Sequence, residues 1–387
     1  DDLDPFRDFS EPFVVRGQTE RLPRLTQAEA AGWQANFAAA SALLERDLPR
    51  YFEPMRAGLR TIVPLTVQPM LLSASSTANS SFGCVFSSAP ADSSQLALTL
   101  VHEFQHNKFD LITSQTTLVE PDRTCRFYAP WRDDPRPIMA LLHGIYSFFG
   151  VAEFWRVHRT DYHQPMSAHA DYEYWRVQVE SAIAEALASG LLTADGERFM
   201  ATLRAGMRAW RDDDVPARAR RSVADVATAH RVYWRVRNAR PDPAGIAEFA
   251  GHWAAGSAAP AVLPTSHPAD QELLPDSYHR LPLQLALRQL DDAQSCADPE
   301  SGDGALAAGD AARAVALYTH DLRADAARPQ PWAGLALALP TLYPETDFAV
   351  LHARPEVVAY LYQAATARGE YSVVELVRWL TGQAAVG

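Results

Sequence analysis

His102 and His106, in the segment Leu100-Val-His-Glu-Phe-Gln-His106, are the residues of this chain whose type and spacing point most directly to chemistry. On a helix, positions four apart lie about one turn apart on one face, so the two imidazoles can converge on a single metal ion. Glu103 lies off that line, where it can hydrogen-bond to a ligand or act as a general base toward a reactant held by the metal. The surrounding Leu98, Leu100, Val101 and Phe104 make the segment strongly apolar, and two unliganded histidines with a glutamate would be costly to bury there. A third protein donor is required, because two histidines leave too many positions to water. His143, in the apolar stretch Ala140-Leu-Leu-His-Gly-Ile-Tyr146, is the first choice, with Glu120 and Glu153 as carboxylate alternatives. Glu153 follows His143 on the same predicted helix but on a different side of it, so only one of the two can serve. Spacing alone does not decide between them.

The elements that must position these groups can be read from periodicity. Apolar residues recur at three- and four-residue spacing from Thr26 to Leu59 (Trp33, Phe37, Ala40, Leu43, Leu44, Leu48, Phe52), which predicts amphipathic helix. Thr61 to Val67 has β-branched character and Phe82 to Phe86 reads as a second short strand, with the Ser-rich stretch from Ser73 to Ser81 as the loop between them. Pro90-Ala-Asp92 is a cap and first turn for a helix over Leu96 to Phe109, which carries the histidine pair. Residues 117–135 lack periodicity and predict a long irregular loop, after which Pro137 opens a helix over Ile138 to His158. Further helices are expected at about 171–189, 196–210 and 217–237. Pro241-Asp-Pro243 and the Pro/Ser/Gly/Ala-rich stretch around 254–268 place a domain border near 240, giving a metal-binding catalytic domain over 1–240 and a helical domain over 241–387. Within the latter, Gly309 to Tyr318 followed by Arg328-Pro-Gln-Pro-Trp332 resembles the join between helix pairs of a tetratricopeptide repeat. The fold class expected is therefore mainly α with a small β-sheet, a zincin-like helix core followed by a TPR-like region.

Composition bounds the partners. Of 387 residues 48% are hydrophobic, enough for a sizeable core, and the formal net charge of −12 argues against nucleic acid, whose phosphates demand clustered basic residues. No unbroken apolar run approaches the roughly 18–20 residues of a membrane span, and Asp-Asp-Leu-Asp lacks the order of a secretion signal, so no membrane partner is expected and the cytoplasm is the default location. Cys84, Cys125 and Cys296 form no Cys-x-x-Cys pair and read as buried small hydrophobes. Lys108 is the only lysine, beside the histidine pair. His158, His163 and His169, with Asp161 and Tyr162, read as a solvated polar loop, and Tyr172, Tyr174 and Trp175 as mostly core.

Three blocks taken together, Leu100-Val-His-Glu-Phe-Gln-His-x-Lys108, Trp131-Arg-Asp-Asp-Pro-Arg-Pro137 and Leu141-Leu-His-Gly-Ile-Tyr-Ser-Phe148, resemble the iron- and 2-oxoglutarate-dependent peptide β-hydroxylases with a His-Glu-x-x-His motif that modify ribosomally made peptides. The resemblance covers roughly residues 70–160. It implies a fold like that of the zinc peptidases turned to oxygen chemistry, with Fe(II) bound by His102, His106 and His143, and with 2-oxoglutarate and O2 filling the remaining positions, as in a facial triad. Oxidative decarboxylation to succinate would be coupled to hydroxylation of the β-carbon of a residue in a precursor peptide. The distal carboxylate of 2-oxoglutarate then needs a cation, for which Arg132, Arg136 and Lys108 are the candidates. The alternative is a zinc peptidase in which Glu103 activates water; among such enzymes some take a glutamate on a later helix as third ligand, the role Glu153 would fill.

Overall fold

The computed structural model describes residues 19–21, 25–67, 75–77, 82–160, 166–269, 298–366, 369 and 371–382. It is mainly helical with a small sheet, and the chain divides into two compact units: residues 1–127 with 137–215, and residues 128–136 with 216–387.

In the first unit the amphipathic stretch splits in two, α1 (Gln27–Asp47) and α2 (Pro49–Gly58). Pro49 takes the first turn of α2, where its missing N–H costs nothing, and Thr26 with Glu29 closes a capping box on α1. A four-stranded sheet follows in the order β1 (Thr19–Arg21), β2 (Thr61–Val67), β4 (Cys84–Ser88), β3 (Ser75–Thr77). β2 and β4 are parallel, with Thr61 opposite Cys84, whereas β1 and β3 run antiparallel on the outer edges. The serine-rich stretch expected to be a loop thus contributes an edge strand, Ser75–Thr77, and the rest of it lies outside the described residues. Edge pairing along β4 supplies the backbone partners that serine side chains do not advertise. The second expected strand starts two residues later than its composition suggests, because Gly83 sits at φ +83°, where a Cβ would strike the Gly58 carbonyl oxygen.

From β4 the chain enters α3 (Ser93–Gln115), capped by Asp92, whose carboxylate accepts from Gln95 N–H at 2.8 Å. Leu96, Leu100, Val101 and Phe104 bury one side of α3 against Leu44, Tyr51, Val85 and Phe154. The Asn107 side chain then ties the helix back to the sheet, accepting from Gly83 N–H at 2.9 Å. α4 (Ile138–His158) crosses α3 where Gly150 meets Val101 and Gln105, so closely that a Cβ there would have to push its neighbours back, and α5 (Met166–Ala188) packs along α4. By length and composition α4 is apolar enough to cross a membrane, contrary to the reading of the sequence; 72% of its apolar window is buried inside the protein, as befits a core helix. α6 (Ala194–Gly206) and a 3-10 turn (Met207–Asp212) complete the unit.

The second unit begins at α7 (Ala217–Asn238), so the packing border falls at 215–216 and the one expected near 240 lies inside this unit. The reason is contact: Val232, Tyr233 and Val236 of α7 share one core with Trp332, Leu335 and Leu339. β5 (Ala239–Pro241) pairs with β6 (Ser266–Pro268), α8 (Pro243–Ala254) follows, and helices Gly302–Ala307, Ala311–Ala324, Pro329–Leu342, Ala349–Ala353, Pro355–Thr366 and Val373–Leu380 complete the unit. The irregular segment 128–136 also belongs here. Tyr128 hydroxyl lies 2.7 Å from His230 Nδ1, His230 Nε2 lies 3.3 Å from Asp133 Oδ1, and Asn238 donates to the Asp133 carbonyl at 2.7 Å.

Candidate metal centre

Helix α3 delivers the spacing that the sequence promised. Nε2 of His102 and Nε2 of His106 stand 3.1 Å apart, their rings nearly perpendicular. If each nitrogen sat ~2.1 Å from one ion, that separation would subtend about 95° at the metal, between the octahedral and tetrahedral values. Burial, and then the proximity of His102 and His143, holds the His106 imidazole well below the usual histidine range, so at neutral pH it is uncharged and has a lone pair to give. The Nδ1 atom of His106 and one carboxylate oxygen of Glu103 are buried without a hydrogen-bond partner among the described residues, a costly condition for a purely structural cluster.

Glu103 is 2% exposed, with Oε1 4.0 Å from His102 Nε2. Burial pushes its carboxyl up to about 7, a hydrogen bond from Ser75 on the edge strand pulling the other way. A carboxyl so tuned can hold or release a proton near neutrality, which is what a general acid or base needs.

His143 projects from α4 to the same place. Its ring packs edge-on against His106, centroids 4.4 Å apart, and at a tilt over Phe109 at 5.0 Å. Its Nε2 lies 3.3 Å from Asp110 Oδ1. Burial lowers the imidazole's proton affinity, with the Asp110 carboxylate opposing. Among the described residues no three His, Cys, Asp or Glu side chains already have the mutual spacing of a metal site. The separation of the His102 and His106 nitrogens is compatible with a shared ion, and the His143 ring lies against His106 without completing such a group. The carboxylate rivals are placed elsewhere: Glu153 is buried with Tyr51, which donates to it at 2.7 Å, and with Arg50, while Glu120 is exposed.

One wall beside the pair is aromatic. Phe148 lies edge-on to His102 at 4.7 Å and is itself stacked at 4.1 Å by Trp175, which is half-buried where Tyr172 and Tyr174 are enclosed in the core. Lys108, two residues beyond His106, is turned about 200° away around the helix; its ammonium lies over the rings of Tyr51 and Tyr146 at 5.4 and 5.6 Å. Arg132 and Arg136 belong to the second unit, where both bind Asp134, at 2.8 and 3.0 Å. His158 is not in a loop: it is the buried last residue of α4, 3.0 Å from the Ser94 hydroxyl, and His169 lies in α5, whereas Asp161, Tyr162 and His163 lie outside the described residues. Cys84 is buried as expected but Cys125 is exposed, and Cys296 lies outside the described residues.

The residue that sequence reading missed is Asp110. Its signal was available: it continues the spacing of His102 and His106 by another four residues along the same helix face. No protein-family profile matches the chain, and no curated protein is significantly similar to it.

Proposed function

We propose that this chain is an iron- and 2-oxoglutarate-dependent dioxygenase that hydroxylates the β-carbon of a residue in a ribosomally made precursor peptide in the cytoplasm. The observation that carries the metal half of this reading is the 3.1 Å approach of the His102 and His106 Nε2 atoms in a part-buried setting. The choice of iron and 2-oxoglutarate rests on the three sequence blocks, since the spacing of the pair admits iron or zinc. His102, His106 and His143 would hold Fe(II), which supplies O2 activation coupled to decarboxylation of 2-oxoglutarate.

The chain's own residues then have separable tasks. Phe148, stacked by Trp175, walls the His102 side with aromatic surface, which limits water there and strengthens the electrostatic interactions. Glu103, poised near neutrality and hydrogen-bonded to Ser75, holds a proton at its carboxyl beside the pair. For the distal carboxylate of 2-oxoglutarate, Arg132 and Arg136 are preferred to Lys108. Both guanidiniums converge on the Asp134 carboxylate, in the geometry that pairs with a carboxylate, whereas the Lys108 ammonium is turned from the histidines. The histidine helix backed by a small sheet supports a zincin-like reading of the first unit, and the hairpin of Ala311–Ala324 with Pro329–Leu342 a TPR-like reading of part of the second.

The buried, proton-poised Glu103 also favours the second reading, a zinc peptidase with Glu103 as general base. Protein loaded anaerobically with Fe(II), then supplied with O2, 2-oxoglutarate and candidate precursor peptides, is expected to yield succinate and a peptide heavier by one oxygen. Peptide cleavage with zinc, and no oxygen gain with iron, would reject the hydroxylase.

A further inference from the structure

Asp110 stands eight residues after His102 and four after His106, so it lies on the same face of α3, one turn beyond the pair. The helix rises ~12 Å over those eight residues, too far for His102 and the short Asp110 side chain to share one ion. Asp110 instead reaches across to α4, its Oδ1 3.3 Å from Nε2 of His143, at ion-pair distance but not yet aligned as a hydrogen bond.

We propose that Asp110 is the positioning residue for the third donor: it accepts a hydrogen bond from Nε2–H of His143 and so assigns Nδ1 of that ring to the metal. The inference rests on the metal reading above. A neutral imidazole has one N–H and one lone pair, so fixing the proton at Nε2 leaves the lone pair at Nδ1. The Nε2 atom is buried without a hydrogen-bond partner in place among the described residues; the His106 backbone also offers the ring an acceptor, and the Asp110 carboxylate, 3.3 Å from Nε2, is the charged one. Phe109 against one side of the ring and His106 against another confine the motion by which His143 comes into line. Metal-binding histidines commonly give their second N–H to a carboxylate in this way, and losing that partner weakens metal binding about 10–100-fold.

The test uses the full chain with Co(II) as probe, its affinity measured by competition with a chelator. Asp110→Ala is expected to weaken Co(II) about 10–100-fold, and Asp110→Asn, which keeps an acceptor oxygen and guards against a folding defect, to weaken it less. The double variant Asp110→Ala/His143→Ala should bind no more weakly than His143→Ala alone, because Asp110 acts through that ring. In the zinc-loaded protein with 15N-labelled histidine, long-range proton–nitrogen spectra should show His143 metallated at Nδ1. Unchanged affinity in Asp110→Ala, additive losses in the double variant, or metallation at Nε2 would overturn the proposal while leaving the metal reading in place. Wild type binding Co(II) no better than His102→Ala would remove both.

Discussion

Glu103 in α3 and Glu356 in the helix Pro355–Thr366 are both withdrawn from water, 2% and 0% exposed, yet their surroundings treat the carboxylate in opposite ways. Glu356 takes two hydrogen bonds from Arg235, at 2.8 and 2.6 Å, one from Arg354 at 2.8 Å and one from the Ser266 hydroxyl at 2.9 Å. Burial alone would raise its proton affinity, but the two guanidiniums outweigh burial and hold the carboxyl below the usual range. Glu103 has a serine and no arginine, and is pushed up to about 7. The Glu356 carboxylate is given its counter-ions and the Glu103 carboxyl is left short of them, the pattern expected if the second is the one that handles a proton.

The sharpest test of that contrast is His102→Ala, which should abolish metal binding, because one helix-borne imidazole forms no chelate; metal content near that of wild type would sink the contrast at its base. Next in size is Glu356→Ala, which leaves Arg235 and Arg354 facing an empty carboxylate site and should cost about 3 kcal/mol or more in urea unfolding. A loss below about 1 kcal/mol would show the network to be ornamental. The stabilising ionisation of Glu356 is complete above its unfolded value near 4.5 and is lost as pH falls through its depressed folded value. The difference between wild type and Glu356→Ala should accordingly shrink in acid.

Glu103→Gln should do the reverse in metal-free protein. A carboxyl raised from 4.5 to about 7 has its stability fully in hand below 4.5 and forfeits it as pH climbs through 7. The glutamine variant should therefore be more stable than wild type by roughly 2–3 kcal/mol above pH 7 and no more stable at pH 4, while losing activity. Equal stability at both pH values would mean that Glu103 is solvated after all. The smallest effect expected is in cofactor recognition: Arg136→Ala should raise the 2-oxoglutarate requirement about tenfold with metal content unchanged, roughly the worth of one charge-assisted pair. Lys108→Met should leave it alone, and the opposite pattern would move the carboxylate partner onto α3.

Local signals carried much of this architecture. The strand Thr61–Val67 and the helix Ile138–His158 have the limits that their composition and Pro137 suggest, and α3 starts at the expected Asp92 cap but runs on past Phe109 to Gln115. What was not legible depended on distant partners. Ser75–Thr77 is a strand because β4 offers it an edge, and the border at 215–216 arises because α7 buries Val232 and Val236 among residues a hundred positions later. Within the site, the histidine pair was legible because four-residue spacing is a helix property. The Asp110–His143 contact was not, because it depends on where α4 crosses α3. The sequence likewise gave no hint that Asp134 grips both arginines, since a run of alternating charge reads the same whether solvated or folded on itself.

The nine residues 128–136 leave the first unit's stretch of sequence to seat Tyr128 and Asp133 against His230 and Asn238 before the chain returns at Pro137. Neither unit is therefore a contiguous gene fragment. On the ribosome these residues emerge about a hundred codons ahead of the side chains that receive them, so Asp133 lacks those partners until α7 is made. A truncation at 215 would strand that loop permanently, and expression of either half alone is a poor route to a soluble piece of this protein.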